Sequence, residues 1–468
     1  MTYKEISSKT KKGLELLFQR PEYTYLWVAF FSLVGFVFLT PPFQGPDEEL
    51  HYIKVQYLAH GYIIPSGDAK VPESINDVTR TTFYADDIRG MTNQTYELAR
   101  TKEAIKIPLS DSETYKPVMI TYNLLLYLPA VPGVVVANLL NLSPLISMYI
   151  ARLSLGIASI VLFFFAIRLI PHKKYLLLAV GLIPTVLFQQ SVVTADSLSY
   201  ALLALFMAYI LYLREKENIS LKQWIALGLL CIAIAIAKPL VFLFLPLVLL
   251  LIKKKHAWRW ILGIIMVSAI SYLGWSIANT VQAHTVDVVA TAPSTVDNAE
   301  QLNLLISEPS RGLRVGWNSY MTSYGDDEVR GVIGVFGAAD TLYPLWMVLS
   351  YVVVLAIAAF VTLDKKKSKK IDWRWKLTAV ILCLAYFVAV NLALYLGYTP
   401  VNFDIVYGVQ GRYFIPIIII LATVILTGGV RLSKTDTNKT RNGLIVTMIV
   451  LVILALFITL QRYYLYTP

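Results

Sequence analysis

Long apolar runs separated by short polar stretches dominate the chain. A helix needs about 20 mostly apolar residues to cross a bilayer, and eleven runs approach or exceed that length. We therefore expect an all-α polytopic membrane protein with a bundle of about eleven transmembrane helices. The predicted spans are 24–40, 145–170, 175–192, 197–213, 222–237, 239–252, 258–278, 343–363, 376–396, 412–430 and 443–463.

One further apolar segment, 117–141, does not have the pattern of a simple span. Prolines and a glycine interrupt it, and an internal proline removes a helical hydrogen bond. If it crossed the membrane, every later basic loop would move to the opposite side. We interpret it as an interfacial or re-entrant segment on the outer face.

Basic residues cluster between the spans, and such clusters favour the cytoplasmic side of a membrane. With a cytoplasmic N-terminus, all of them fall on that side. We expect a cytoplasmic N-terminus (1–23), a transmembrane core (24–430) with large outer loops at 41–142 and 279–342, and a cytoplasmic loop with a final span (431–468). The clusters are Lys9/Lys11/Lys12, Lys173/Lys174, Arg214/Lys216/Lys222, Lys253–Lys255, Lys365–Lys370, and Arg431 to Arg441.

Composition supports the membrane assignment. Hydrophobic residues make up 57% of the 468 residues and charged residues 15%, whereas soluble proteins carry about 25% charged residues. This argues against a soluble multi-domain enzyme, a disordered chain and a secreted disulfide scaffold, and both cysteines lie in apolar runs. The net charge of +11 comes from loop clusters, so we expect membrane lipids and no nucleic acid as partners.

The segment after the first span, PPFQGPDEELHYIK, carries the first candidate chemistry. Its prolines end the span, and Asp47 and Glu48 then fall at a predicted helix start, where carboxylates are favoured. His51 lies four residues after Asp47, so the two share one helical face. A solvated helix cap explains this motif as well as a catalytic acid does. However, three consecutive acids at a membrane surface are costly unless water or a cation compensates them.

Four more ionisable residues lie at the predicted outer ends of spans, namely Arg152, Asp196, Lys238 and Arg412. An ionisable residue near membrane depth is a functional candidate, although snorkelling or pairing within the chain explains any one of them equally well. Together with Asp47 they provide what transfer from a phosphate-bearing donor needs, a base and cations that hold the leaving phosphate. A glycine-rich turn with Asp340 is predicted to dock over this site.

Several of these motifs together resemble a known family. PDEELH, YNLLLYLPAV, TADSL, AKPL, GVFGAADTLYP and GVQGRYFIP resemble bacterial predicted membrane proteins of unknown function (DUF2142). That family resembles the GT-C superfamily of polyprenyl-phosphate-dependent glycosyltransferases. The resemblance runs from about residue 24 to about residue 430. It implies a GT-C-like helical bundle with interfacial helices in the first outer loop.

The resemblance also implies roles for individual residues. Asp47 takes the catalytic acidic position, where it activates an acceptor hydroxyl or helps to hold a metal, and Glu48 completes this catalytic motif. Members of the superfamily differ in their use of a divalent metal, so the cofactor stays open. The residues implied to position or bind the substrate are His51, Arg152, Asp196, Lys238, Asp340 and Arg412.

The resulting hypothesis is an extracytoplasmic glycosyltransferase of the bacterial plasma membrane. It moves a sugar from a polyprenyl-phosphate donor to a cell-envelope glycan, a teichoic acid-like polymer or a lipid. A transporter or flippase for lipid-linked glycans is an alternative, but transporters place polar groups near the midplane, where the runs here are apolar. A scaffold of envelope assembly is a third hypothesis. No sequence pattern names the sugar or the acceptor.

Overall fold

A computed structural model describes residues 18–64, 69–82, 95–114, 122–285, 295–321, 325–361, 369–427, 430 and 432–465. This part of the chain is mostly helical. Several residues of the predicted basic clusters lie outside the described residues: Lys9, Lys11, Lys12, Lys365, Lys366, Lys367 and Arg431. The first residues of the predicted segment 117–141 do so as well.

The described α-helices number eighteen, and short 3₁₀ and π segments extend or separate them. The helices are α1 (Pro21–Leu39), α2 (Glu48–Ala59), α3 (Ser74–Thr82), α4 (Leu98–Ala104), α5 (Val131–Leu139), α6 (Pro144–Leu169), α7 (Lys174–Gly181), α8 (Pro184–Gln189), α9 (Ala195–Glu215), α10 (Leu221–Ala237), α11 (Ala257–Thr285), α12 (Asn298–Ser307), α13 (Ser310–Met321), α14 (Gly325–Gly334), α15 (Leu345–Phe360), α16 (Trp373–Gly397), α17 (Ile415–Ile420) and α18 (Lys434–Leu460). The 3₁₀ segments are Leu124–Ala130, Val241–Leu251 and Gly411–Phe414, and the π segments are Leu421–Ile425 and Gln461–Leu465.

Two short antiparallel strand pairs complete the described structure. β1 (Val71–Pro72) pairs with β2 (Glu113–Thr114) within the predicted loop 41–142, and β3 (Val335–Phe336) pairs with β4 (Thr341–Leu342) after α14. The described residues of the predicted loop 279–342 form the end of α11, then α12, α13, α14 and this β3–β4 hairpin.

Among the described residues, six helices are long and apolar enough to cross a membrane. The protein is thus a polytopic helical membrane protein, while a count of eleven spans stays a prediction, because the other predicted spans are shorter here. The six are Pro21–Leu39, Pro144–Leu169, Ala195–Glu215, Ala257–Val281, Trp373–Gly397 and Thr435–Leu465; the shorter apolar helices are Leu124–Leu139, Leu221–Ala237, Val241–Leu251, Leu345–Phe360 and Gly411–Ile425.

The prediction of one continuous helix over 175–192 is wrong. The chain forms two short helices, α7 and α8, and breaks between them. Pro184 is the first residue of α8, the position at which the missing N–H of proline costs least. After α8 the chain turns toward the interior of the bundle. The residues of this turn are buried and border the candidate site.

The bundle has two chemically distinct ends. At one end, called here the basic end, Arg214 donates hydrogen bonds to the carbonyls of Lys369 and Lys370, and Lys254 contacts the carbonyl of Lys216. Three predicted basic clusters therefore lie together. The other end, called here the site end, is where α1 ends and α6 and α9 begin.

Helix α9 lies at the centre of the bundle and packs against α6, which packs in turn against α1. α9 is buried on nearly all sides, as expected of a helix that is apolar all round. Gly156 allows the close approach of α6, because a Cβ atom there would lie 2.3 Å from a methyl group of Leu33 and 2.4 Å from the carbonyl oxygen of Gln190. Outer helices α11 and α16 instead expose large apolar side chains such as Ile270 and Leu384, as lipid-facing helices do.

The segment 122–142 begins and ends beside α2. The Nδ1 atom of His51 lies 2.6 Å from the hydroxyl of Tyr127, and Asn138 donates a 3.0 Å hydrogen bond to Gln56. Both ends of the segment therefore lie at the site end of the bundle. This is the arrangement that an interfacial or re-entrant segment requires.

Candidate functional site

Asp47 is the residue immediately before α2, and its side chain is exposed. Its backbone is left-handed, with φ +54°, a conformation that aspartate and asparagine tolerate better than most residues. Its carboxylate makes no capping hydrogen bond to the helix, so Asp47 does not cap α2 with its side chain. The ring of His51 does not serve as its partner and lies against Tyr127 instead. The carboxylate is therefore available to a ligand.

Glu48, the next residue, is fully buried and pairs with Arg152. Nε and Nη2 of Arg152 donate to the two carboxylate oxygens of Glu48 at 2.7 and 2.6 Å. The backbone N–H groups of Gly45 and Val193 donate to the same carboxylate at 3.1 and 2.9 Å. The remaining N–H groups of Arg152 donate to carbonyl oxygens at the end of α1. This pair joins α2, α6, the end of α1 and the turn before α9. It therefore fixes Glu48, the residue next to Asp47, and with it the start of α2.

A second charged group joins Asp196, Lys238 and Arg412. Asp196 lies in the first turn of α9, Lys238 directly follows α10, and Arg412 lies in the 3₁₀ segment before α17. Nη1 of Arg412 donates to Asp196 at 2.8 Å, and Nζ of Lys238 contacts the other carboxylate oxygen. Tyr200 donates to the carbonyl of Arg412 at 2.7 Å, which fixes the position of this segment. The fold thus brings together three residues that the sequence places far apart.

Lys54 belongs to the same region, and the sequence analysis missed it. Only 5% of its surface is exposed, yet it forms no ion pair among the described residues. Its Nζ atom lies 5.2 Å from the ring centre of Tyr122, and Nζ of Lys238 lies 5.8 Å from the same ring. Both distances allow cation–π attraction. Lys54 follows Asp47 by seven residues and His51 by three, so helical spacing placed all three on one face.

We call Lys54, Lys238 and Arg412 the cation cluster. Asp196 is the buried acid that faces it, and Asp47 is the exposed acid beside it, so the buried groups carry excess positive charge. Burial lowers the pKa of Lys54 to about 8, while Asp47 opposes that shift. Burial and the three cations also lower the pKa of His51 well below its ordinary value, so His51 is neutral at pH 7. A buried excess of positive charge favours an anionic ligand.

A cleft with a cavity volume of about 70 Å³ adjoins the cation cluster. At about 10–15 Å³ for each water molecule on this measure, it has room for about five waters. Arg412 is shared by the cleft and the cluster, and Pro46 brings Asp47 to its border. The lining residues are Pro46, Gln189, Gly331, Val335, Gly337, Ala339, Val409, Gln410, Gly411 and Arg412.

The glycine-rich turn of the β3–β4 hairpin forms one wall of this cleft through Gly337 and Ala339. Asp340, however, is not brought into the cation cluster. Its carboxylate accepts a 3.0 Å hydrogen bond from Arg462, which follows α18. Asp340 therefore anchors the turn rather than facing the cations.

The predicted site residues thus divide into three groups. Asp47, His51, Asp196, Lys238 and Arg412 lie together at the site end, Glu48 and Arg152 form a closed pair beside them, and Asp340 lies behind the hairpin turn. In the described part of the chain, no three histidine, cysteine or acidic side chains are arranged to hold a metal ion. The sequence analysis missed Lys54, Tyr122, Tyr127 and Gln189.

Fold and site together define a polytopic helical membrane protein with a charged cleft at one end of its bundle. Comparison with known families makes this more specific. The chain belongs to the family of predicted membrane proteins DUF2142, whose model matches residues 30–421. The family resemblance inferred from the motifs is confirmed, and the further likeness to the GT-C superfamily stays a prediction. No curated protein and no solved structure matches the chain.

Proposed function

We propose that the protein is a glycosyltransferase that takes a sugar from a polyprenyl-phosphate donor and passes it to a cell-envelope glycan or lipid. The observation that carries this proposal is the cation cluster. Lys238 and Arg412 pair with the buried Asp196, and the buried Lys54 adds a third positive charge, beside an exposed and unpaired Asp47. Excess positive charge suits the phosphate of a lipid carrier. A free carboxylate next to it suits a general base.

The proposed reaction is a displacement at the anomeric carbon of the donor sugar. The acceptor hydroxyl oxygen forms the new bond while the bond between that carbon and the phosphate oxygen breaks. Asp47 accepts the hydroxyl proton, and the departing polyprenyl phosphate keeps the bonding electrons. Lys54, Lys238 and Arg412 stabilise the negative charge that develops on this leaving group.

In this proposal Glu48 and Arg152 act through Asp47 rather than on the substrate. Their hydrogen bonds are directed at each other and at the backbone, so they set the position of α2. His51, neutral and held by Tyr127, orients the same helix face toward the donor. The site is proposed to face the extracytoplasmic side of a bacterial plasma membrane, with the basic end in the cytoplasm.

The test is a mass-spectrometric analysis of envelope glycans and lipids in four strains: wild type, a deletion, and deletions that express Asp47→Asn or Asp77→Asn at equal level. Asp77 is an exposed aspartate of α3 in the same outer loop, so it is the matched control. Asparagine tolerates the left-handed backbone of Asp47, so the variant is expected to fold.

We expect the deletion and Asp47→Asn to lose the same sugar, with transfer lowered about 10²–10⁴-fold by loss of the base, and Asp77→Asn to restore it. Full rescue by Asp47→Asn would contradict the catalytic role and favour transport or a scaffold.

A further inference from the structure

We infer that the cleft beside the cation cluster binds the donor's sugar, and that this sugar carries no positive charge. The inference rests on the proposed function, since it assigns a part of the same donor to a part of the site. The cation cluster, where the donor's phosphate is proposed to bind, is called here the phosphate subsite. The residue that distinguishes the sugar subsite from it is Gln189, the last residue of α8.

Gln189 is a buried amide whose hydrogen-bonding capacity is not satisfied within the described protein. Only 1% of its surface is exposed, and its side-chain oxygen has no hydrogen-bond partner among the described residues. It also lines the cleft. Buried polar groups in folded proteins nearly always have partners, so an orphaned amide at the wall of a cleft points to a ligand that supplies a donor. A sugar hydroxyl is such a donor.

The neighbouring Gln190 serves as a control for position. Its amide nitrogen donates a 2.9 Å hydrogen bond to the hydroxyl of Tyr25 on α1. Its side-chain oxygen also has no partner among the described residues, but it is not among the lining residues of the cleft. The two adjacent glutamines are thus equally buried but differ in whether they face the cleft. They form a matched pair for experiment.

The place of the cleft fits a sugar that is bonded to a phosphate. Arg412 belongs both to the cation cluster and to the cleft, so a ligand can contact the cations with its phosphate while the attached ring enters the cleft. Pro46 at the border is followed by Asp47, the proposed base. The anomeric carbon, which joins ring and phosphate, would then lie near the base, as the reaction requires.

The chemistry of the walls indicates the class of sugar. The lining residues include the amides of Gln189 and Gln410 and backbone exposed at three glycines, and none of them is a carboxylate. Amide and backbone groups match hydroxyl groups. A protonated amino sugar would instead meet Arg412 with no carboxylate among the lining residues, and Asp196 is already paired with Arg412 and Lys238. At Gly331 a side chain would collide with the backbone of Gly411, since a Cβ atom would lie 3.0 Å from its nitrogen. Glycine there keeps the two backbone segments in contact.

The experiment compares lipid binding to the purified full chain in nanodiscs, measured by microscale thermophoresis. The probes share one polyprenyl chain and carry phosphate alone, phosphate-linked glucose or mannose, or a phosphate-linked 4-amino sugar. We expect the wild type to bind at least one hexosyl lipid about tenfold more tightly than the bare phosphate, the gain from one or two hydrogen bonds. The amino-sugar lipid should show no such preference.

The variant Gln189→Leu should lose the preference for the hexosyl lipid while it binds the bare phosphate as the wild type does. This unchanged affinity also reports that the variant is folded. Gln190→Leu should keep the preference. Equal binding of bare and hexosyl lipids by the wild type, or an equal loss of both in Gln189→Leu, would overturn the inference and leave the proposed function standing. Failure of the wild type to bind either lipid would instead overturn the proposed function.

Discussion

Substitution of the buried acid Glu48 by glutamine tests whether the pair with Arg152 holds the site together. The carboxylate accepts four hydrogen bonds, two from Arg152 and one each from the backbone of Gly45 and Val193. Glutamine keeps the size but replaces one acceptor by a donor, which would then face another donor. The guanidinium would also lose its counter-charge in a fully buried position.

The magnitude follows from what remains after the substitution. Removing one partner of a buried ion pair costs about 3–5 kcal/mol, because the other charge stays buried and uncompensated. The exposed pair of Glu97 and Arg100, separated by 3.4 Å with Glu97 70% exposed, provides the comparison. Exposed pairs contribute about 0–1 kcal/mol, so Glu97→Gln should be close to neutral.

A thermal unfolding assay with a thiol-reactive dye suits this protein, since Cys231 and Cys383 are both buried and free. We expect a clearly lower unfolding midpoint for Glu48→Gln than for Glu97→Gln. Replacing both members of the buried pair by apolar residues of similar size should recover part of the loss. Recovery would be incomplete because the carbonyl oxygens at the end of α1 would lose the hydrogen bonds that the guanidinium of Arg152 donates to them. If Glu48→Gln unfolded at the temperature of Glu97→Gln, the structural role assigned to the pair would be refuted.

Two further predictions concern the phosphate subsite and the cleft wall. Lys54 loses its charge as the pH rises through about 8, so affinity for the bare polyprenyl phosphate should fall about tenfold between pH 7 and 9.5. Lys54→Arg stays charged over this range and should bind with little pH dependence; a pH profile identical to wild type would exclude Lys54 from the subsite. Gly337→Ala should lower the midpoint, since Gly337 has φ +64° and a Cβ atom would lie 2.2 Å from Asp340 and 2.4 Å from the hydroxyl of Tyr463. The left-handed backbone at Gly337 alone costs about 1–2 kcal/mol. The control Gly316→Ala lies in open space within α13 and should be neutral or stabilising. Equal unfolding midpoints for the two variants would contradict this account.

Much of the fold could be predicted from hydropathy because the bilayer constrains length and composition. Among the described residues, each predicted span except 175–192 corresponds to one helical stretch, although 239–252 forms a short 3₁₀ segment and 412–430 combines 3₁₀, α and π segments. The break in that segment had a local signal in Pro184, but apolar residues on both sides of the proline concealed it. Charge placement, through the parity of the loops, also predicted that Asp196, Lys238 and Arg412 share one end of the bundle.

What could not be predicted was how the charged residues pair. Arg152 and Arg412 have the same sequence signal, a cation at the end of an apolar run, yet one lies in a closed pair and the other borders a cleft. That difference depends on side-chain contacts between distant segments. Lys54 had a usable signal in its helical spacing from His51. Gln189 had none, because an unsatisfied amide is a property of the packing around it.

The hairpin that walls the cleft is fastened by a part of the chain outside the segment that the family model matches. Asp340 behind the turn is held by Arg462, while the match ends at residue 421. A relative with a different sequence at that position could shift the wall while every residue that lines the cleft stayed the same. Ligand preference could therefore differ between family members because of a residue that lies far from the cleft. Exchanging α18 and the π segment that follows it between members would then transfer this preference.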